Sequence, residues 1–136
     1  MTSAPLPSPD AFDRLMQTII ERRDGPADRS YTQKLLAGGV PAIGAKIVEE
    51  AGEVVESAMH LAARRNSENA AATDEVSGSS KELGSTAHFV HEAADLLYHL
   101  WVMLAKHQIP LDRVREELER RAGVSGLDEK ANRSRH

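Results

Sequence analysis

The sequence predicts an all-α protein, and three observations lead to that fold class. No stretch alternates polar and apolar residues at the period of two that a half-buried strand requires. Several segments instead place apolar residues three and four positions apart, as one face of a helix does. Glycine, proline or small polar residues lie at the ends of these segments, where helices begin and end.

The first two predicted helices are short. Ser8-Pro9-Asp10 indicates a helix start with proline at the first helical position, and apolar residues up to Ile20 share one face before Gly25-Pro26 ends the helix. A second segment begins at Ser30, a candidate N-cap, and Gly38-Gly39 terminates it.

Three longer stretches complete the prediction. Pro41 opens a helix that runs to about residue 64, and two more helices are expected at 86–107 and 111–123. The stretch 66–85 is small and polar, which indicates a loose connection.

The chain length bounds the domain organisation. With 136 residues the chain is long enough for one domain with a modest core. We expect this domain at 8–123, with the polar insert at 66–85, a flexible leader at 1–7 and a disordered tail at 124–136.

Composition excludes several classes of function. Net charge is −4 and the basic residues are scattered, which predicts neither a nucleic-acid partner nor an anionic membrane surface. The absence of cysteine excludes disulfides, thiolate metal sites and cysteine nucleophiles. No apolar run is long enough for a signal core or a membrane span. A cytoplasmic protein is expected.

The helix at 86–107 is unusually apolar. Between Phe89 and Ala105, apolar side chains cover most of the circumference, whereas a surface helix has the opposite proportions. Few other apolar faces are present to cover it, so we predict a helical bundle completed by dimerisation, with Leu97 and Trp101 near the interface. What remains is a narrow polar stripe: His88, Glu92, Asp95 and His99.

Two pairs of acidic residues lie on inward faces. Glu92 and Asp95 occur on the apolar helix, and Glu50 and Glu53 lie in or beside the apolar stripe of the long helix. If the two helices pack antiparallel, the four carboxylates converge, and their repulsion requires a cation. Oxygen ligands favour magnesium, manganese or calcium, and magnesium leaves positions open for phosphate oxygens.

Structural interpretations of these residues stay open. An inward acid can be satisfied by Lys46 or by an arginine, and His88, His91 and His99 are expected to form hydrogen bonds rather than to bind metal.

The sequence resembles the phosphoribosyl-ATP pyrophosphatases of histidine biosynthesis in three segments, in this order: SYTQKLL, KIVEEAGEVVESA and HEAADLLYHLWVMLAKHQIPLDRVREELERR. That family belongs to the all-α, MazG-like nucleotide pyrophosphohydrolases, whose signature is E-E-x-x-E followed by E-x-x-D. The signature alone indicates the superfamily, whereas SYT-x-KLL, EAADLLYHL and LERR indicate the phosphoribosyl-ATP members. The resemblance covers about 30–121 and is interrupted at 64–85.

The resemblance implies an activity and a set of site residues. The reaction would be hydrolysis of phosphoribosyl-ATP to phosphoribosyl-AMP and pyrophosphate, the second step of histidine biosynthesis, by a homodimer or higher homo-oligomer. The implied catalytic residues are Glu49, Glu50 and Glu53. Glu49 would either hold the metal-binding side chains in position or orient a water molecule. The implied Mg²⁺ ligands, for which Mn²⁺ is a possible substitute ion, are Glu50, Glu53, Glu92 and Asp95.

Cations and hydroxyl groups near these acids are candidates for substrate binding. Lysines can contact phosphate, and hydroxyls can contact phosphate or ribose, although a salt bridge of Lys46 with Glu50 and a simple helix cap explain the same residues. The candidates are Ser30, Tyr31, Thr32, Lys34 and Lys46.

Departures from the family pattern keep two alternatives open. The leader and Pro110, where a capping serine is expected, depart from the pattern without removing a proposed ligand. The long polar insert leaves room for a MazG-like pyrophosphatase that acts on other nucleoside triphosphates. A non-enzymatic helical dimerisation module is the second alternative. A di-iron carboxylate bundle is disfavoured because it needs E-x-x-H, which is absent from the sequence.

Overall fold

The computed structural model of the chain describes residues 8–26, 30–70, 79–123 and 133, and within these ranges it contains helices and no strand. The all-α prediction is therefore confirmed. The helices are α1 (Ala11–Asp24), α2 (Tyr31–Ala70), α3 (Ser79–Lys106) and α4 (Leu111–Ala122).

The start of α1 differs from the sequence prediction. The helix begins at Ala11, so Pro9 precedes it and is not its first helical residue. Asp10 is the N-cap: its side chain accepts from the Asp13 amide at 2.9 Å, and the Asp13 side chain accepts from the Asp10 amide at 3.3 Å. This reciprocal capping box satisfies two amides that the first helical turn leaves unpaired. Gly25 follows the end of the helix, as predicted.

A short helix and a long helix are joined end to end in α2. Ser30 caps the first, because its hydroxyl oxygen accepts from the Gln33 amide at 3.1 Å. Gly39 then adopts φ 69° and ψ −164°, which breaks the helix, and Pro41 begins the second part. Glycine takes this backbone conformation without the steric cost that a Cβ would add. The predicted boundary at Gly38-Gly39 and Pro41 is confirmed.

The predicted polar insert at 66–85 is helical at both ends. α2 continues to Ala70 and α3 begins at Ser79, beyond the boundaries expected from the sequence. Residues 71–78 lie outside the described part of the chain, as do the predicted leader at 1–7 and, apart from residue 133, the predicted tail.

Helices α2 and α3 form an antiparallel pair. Tyr31, at the start of α2, contacts His99 near the end of α3, and Arg64 contacts Ser85 at the opposite end of the pair. Helix α1 packs across α3, where the Trp101 ring lies 6.0 Å from the Phe12 ring. The core is made of eight buried side chains: Met16, Ile19, Leu35, Ile43, Trp101, Val102, Ala105 and Leu111.

A tight turn connects α3 to α4. Gln108 adopts φ 56°, a left-handed conformation, and the Ile109 amide donates to the Leu104 carbonyl at 3.0 Å. A left-handed residue followed by this hydrogen bond is the Schellman motif that ends many helices, and glycine usually occupies the left-handed position. Pro110 then precedes α4 without a side-chain capping bond, in agreement with the departure noted in the sequence.

The apolar face of α3 is covered within the chain more fully than the sequence suggested. Trp101 is buried against α1, and its indole N–H donates to the Phe12 carbonyl at 3.2 Å. Its expected place at a dimer interface is therefore wrong. Val90 and Leu100 do remain exposed. In the described segments, no helix combines the length and apolar character needed to cross a membrane.

Candidate metal and phosphate site

Three carboxylates converge between α2 and α3. Glu50 from α2 and Glu92 from α3 are both buried, and the side chain of Asp95 is 42% exposed. One carboxylate oxygen from each of the three lies within 4.8 Å of the others. The antiparallel helix pair thus brings together the acids that helical spacing placed on inward faces.

Glu53 lies beside this group, although it is not among the three closest acids. Burial raises the pKa of the Glu50 carboxyl, and the neighbouring Glu53 and Asp95 carboxyls raise it further, while Lys46 opposes the change. The raised pKa of Glu50 therefore reflects its burial first and the neighbouring carboxylates second. We name Glu50, Glu53, Glu92 and Asp95 the acidic cluster.

Two oxygen atoms of the acidic cluster have no hydrogen-bond partner. Both Glu50 Oε2 and Glu92 Oε2 are buried, and neither accepts a hydrogen bond. Burying an ionised oxygen in this state is costly, and a bound cation removes the cost. All the candidate metal-binding atoms are carboxylate oxygens, the ligand type that Mg²⁺, Mn²⁺ and Ca²⁺ prefer. The residues present therefore fit a hard divalent cation.

Lys46 interacts with the same acids. Its ammonium lies 3.1 Å from Glu49 Oε2 and 3.5 Å from Glu50 Oε1, and the hydrogen bond with Glu49 raises the pKa of Lys46. The salt bridge that the sequence left open is therefore formed. Glu49 itself is exposed.

The hydroxyl candidates occupy different environments. Ser30 is used as the cap of α2, and Thr32 is fully buried, with its hydroxyl bonded to the Tyr98 hydroxyl. Tyr31 is 50% exposed, and its pKa is raised by burial and by Tyr98, Glu50 and Glu49, against an opposing effect of Lys46. Tyr31 is thus the most exposed of the three hydroxyl residues, and it lies near Glu50 and Glu49. Lys34 is exposed on the same short helix.

Comparison with known proteins decides the family. The family model described as phosphoribosyl-ATP pyrophosphohydrolase matches residues 12–122. The chain belongs to this family. Among its relatives is the phosphoribosyl-ATP pyrophosphatase of Rhodopirellula baltica, 42% identical over 90% of this chain and 85% of the relative. The protein of the same name from Erythrobacter litoralis is 40% identical over 91% of this chain and 97% of the relative. The resemblance found in the sequence is confirmed.

In this member of the phosphoribosyl-ATP pyrophosphohydrolase family, a buried histidine connects Tyr31 to the acidic cluster. His99 Nδ1 lies 2.7 Å from the backbone oxygen of Asp95, and His99 Nε2 lies 3.0 Å from the Tyr31 hydroxyl. Because a carbonyl only accepts, Nδ1 carries the proton in a neutral imidazole, and the Tyr31 hydroxyl donates to Nε2. The sequence identified His99 as a hydrogen-bonding residue but did not connect it to Tyr31.

Proposed function

We propose that this chain hydrolyses phosphoribosyl-ATP to phosphoribosyl-AMP and pyrophosphate, the second step of histidine biosynthesis. The observation that carries the proposal is the pair of buried, unpartnered oxygens of Glu50 and Glu92, facing Asp95, in a chain of this family. Buried carboxylate oxygens that accept no hydrogen bond are unfavourable in a purely structural module, so they favour the enzyme over a dimerisation module.

Magnesium is the metal we assign to the site, with manganese as a substitute. Glu50, Glu53, Glu92 and Asp95 would hold the ion. When bound, Mg²⁺ supplies positive charge that stabilises the phosphates and the leaving pyrophosphate. The two helices fix Glu50 and Glu92 in advance, so little reorganisation is needed on binding. An acidic protein can bind an anionic substrate in this way because the cation inverts the local potential.

The remaining site residues orient water and substrate. Glu49 lies one residue from Glu50, carries an exposed carboxylate, and is held by Lys46. We assign it the role of accepting a hydrogen bond from the attacking water. Tyr31 is half exposed, its hydroxyl is fixed by His99, and we assign it a contact with the substrate. Lys46 also contacts substrate phosphate when its salt bridges exchange.

We also propose that the chain forms a homodimer through the outer face of α2. Three large apolar side chains there, Val48, Val55 and Met59, are 74%, 58% and 66% exposed. They lie seven and four residues apart, which places them on one stripe. Gly52 lies in the middle of the stripe, and a Cβ added there would meet nothing within 4 Å. Glycine at this point permits a second helix to approach closely. We name these four residues the outer stripe.

Release of pyrophosphate tests the reaction. The purified chain is incubated with phosphoribosyl-ATP, ATP and dATP, each with and without magnesium, and pyrophosphate is measured. We expect magnesium-dependent release from phosphoribosyl-ATP, with kcat/KM at least a hundredfold higher than for the other nucleotides. Equal turnover of the panel would indicate the broader nucleoside triphosphate pyrophosphatase. An enzymatic role would be contradicted if the wild type hydrolysed none of the nucleotides and if Asp95→Asn had the same stability and the same lack of activity as the wild type.

A further inference from the structure

A polar row continues along α2 beyond the acidic cluster. After Glu53, the residues on the same face are Ser57, His60 and Arg64, at spacings of four, three and four. The helical spacing that places the acids on one face of α2 places these residues on the continuation of that face. The row changes from acidic at Glu53 to cationic at Arg64, over about 16 Å at 1.5 Å per residue.

The row borders two adjoining cavities between α2 and α3. The first has a volume of about 200 Å³ and reaches the acidic cluster at Glu53 and Glu92. The second has a volume of about 310 Å³ and extends to Arg64 and Ser85. The two cavities share the side chains Ser57, His60 and His88, so a groove runs from the acids to the arginine.

The far end of this groove is lined by hydrogen-bond donors. Arg64 is charged at all relevant pH values, is half-buried, and donates to the Ser85 hydroxyl across the helix pair. His60 and His88 are exposed at the rim, and each imidazole provides at least one N–H whatever its charge. An arginine with surrounding N–H and O–H donors is the chemistry that recognises a phosphate group.

We propose that the groove end formed by His60, Arg64, Ser85 and His88 is a phosphate subsite. It binds a phosphate group of the substrate at a distance from the acidic cluster. This inference rests on the proposed function, because phosphoribosyl-ATP carries phosphate at two places: the triphosphate chain and the 5′-phosphate of the added ribose. Both groups share the chemistry that the pocket recognises.

Two probes distinguish these sources of phosphate. Isothermal titration calorimetry of the full chain in millimolar magnesium would measure the Kd of inorganic pyrophosphate and of ribose 5-phosphate. In Arg64→Gln we expect the Kd of at least one probe to rise about tenfold or more, because a charge-assisted hydrogen bond is lost. A rise for pyrophosphate assigns the subsite to the triphosphate, and a rise for ribose 5-phosphate assigns it to the 5′-phosphate.

Two matched variants separate phosphate binding from charge and packing. Arg65→Gln makes the same change of charge one residue away, at an exposed position, and should leave both Kd values within twofold of wild type. Ser85→Ala removes one hydroxyl of the subsite and the bond across the helices but keeps the guanidinium, so the rise in Kd should be smaller than in Arg64→Gln. If Arg64→Gln does not fold, the same titrations are made on His60→Gln, whose side chain is exposed, with an expected rise of about threefold.

The outcomes are distinct from those of the proposed function. Unchanged Kd values for both probes in Arg64→Gln, or equal losses in Arg65→Gln, would overturn the subsite even if the wild type releases pyrophosphate from phosphoribosyl-ATP. Failure of the wild type to release pyrophosphate would overturn the proposed function, whereas calorimetry would still show whether the subsite binds phosphate. In an active enzyme, Arg64→Gln should raise KM much more than it lowers kcat.

Discussion

The outer stripe of α2 leads to a prediction about assembly: Val55→Glu should convert a dimer into a monomer. Val55 is 58% exposed at the middle of the stripe, between Val48 and Met59. In the single chain, a glutamate at this position is solvated and compatible with the helix. In the dimer, the same carboxylate would lie in an apolar interface.

The expected change in the dimer Kd follows from the apolar area that the outer stripe exposes. Burying a Val or Met side chain completely contributes about 1.5–3 kcal/mol, so covering the exposed part of each stripe residue contributes about 1–2 kcal/mol. Three side chains from each of two chains give about 6–12 kcal/mol, which is of the same size as the roughly 4–15 kcal/mol cost of association. A single substitution therefore decides the equilibrium. Val55→Glu removes two of the six contributions and buries two charges, so Kd should rise about a thousandfold or more.

Light scattering and sedimentation, at concentrations from micromolar to millimolar, measure this change. Leu118→Glu is the matched control, because Leu118 is an equally exposed apolar residue, at 61%, on α4 and outside the stripe. It should leave the dimer intact. A wild-type chain that is monomeric and fully active at micromolar concentration would refute the reasoning, as would dissociation by Leu118→Glu but not by Val55→Glu.

Three further predictions concern the acidic cluster, the ion pair between α1 and α4, and the Tyr31–His99 hydrogen bond. Glu50→Gln removes a buried charge, so the metal-free variant should melt above the wild type, and millimolar magnesium, which raises the Tm of the wild type by binding the folded state, should not raise that of the variant. The pKa of Asp13 is lowered, chiefly by its hydrogen bond with Arg115. Ionised Asp13 therefore stabilises the folded chain at pH values above its ordinary pKa of 3.8, and this stabilisation is lost as the pH falls through the lowered pKa. Melting curves should show wild type and Asp13→Asn converging over that acidic range. Tyr31→Phe and His99→Phe remove the two partners of one hydrogen bond, so each should raise KM severalfold and the double variant little more; additive losses would show that the two residues act separately.

Helical periodicity predicted the parts of the structure that depend on one helix alone. The inward positions of Glu50 and Glu92 follow from the spacing of apolar residues around them, and that spacing does not depend on the rest of the fold. The break at Gly39 was also predictable, because two adjacent glycines before Pro41 leave the helix no stable continuation. The fold class and the position of the acidic cluster could therefore be predicted from the sequence.

Features that depend on a tertiary partner could not be predicted in this way. Periodicity places Trp101 on an apolar face, but it does not say whether α1 or a second chain covers that face. The hydroxyl of Thr32 is equally suited to a ligand or to a neighbouring side chain, and only the packing of α2 on α3 brings it to Tyr98. The extension of α2 beyond Arg64 was missed because a polar segment can continue an existing helix without a buried face.

The arrangement of faces around α2 connects assembly to the site. At about 100° per residue, Val55 lies about 140° from Glu50, and Met59 lies about 180° from it, so the outer stripe and the acidic cluster occupy opposite sides of the helix. Ile43, which is buried in the core, lies about 20° from Glu50 and so on the side of the acidic cluster. A partner chain packed on the outer stripe would leave the groove between α2 and α3 open to substrate. Dissociation by Val55→Glu should consequently leave the magnesium-dependent rise in Tm intact wherever the monomer remains folded, and loss of that rise in a folded monomer would place the partner chain at the metal site.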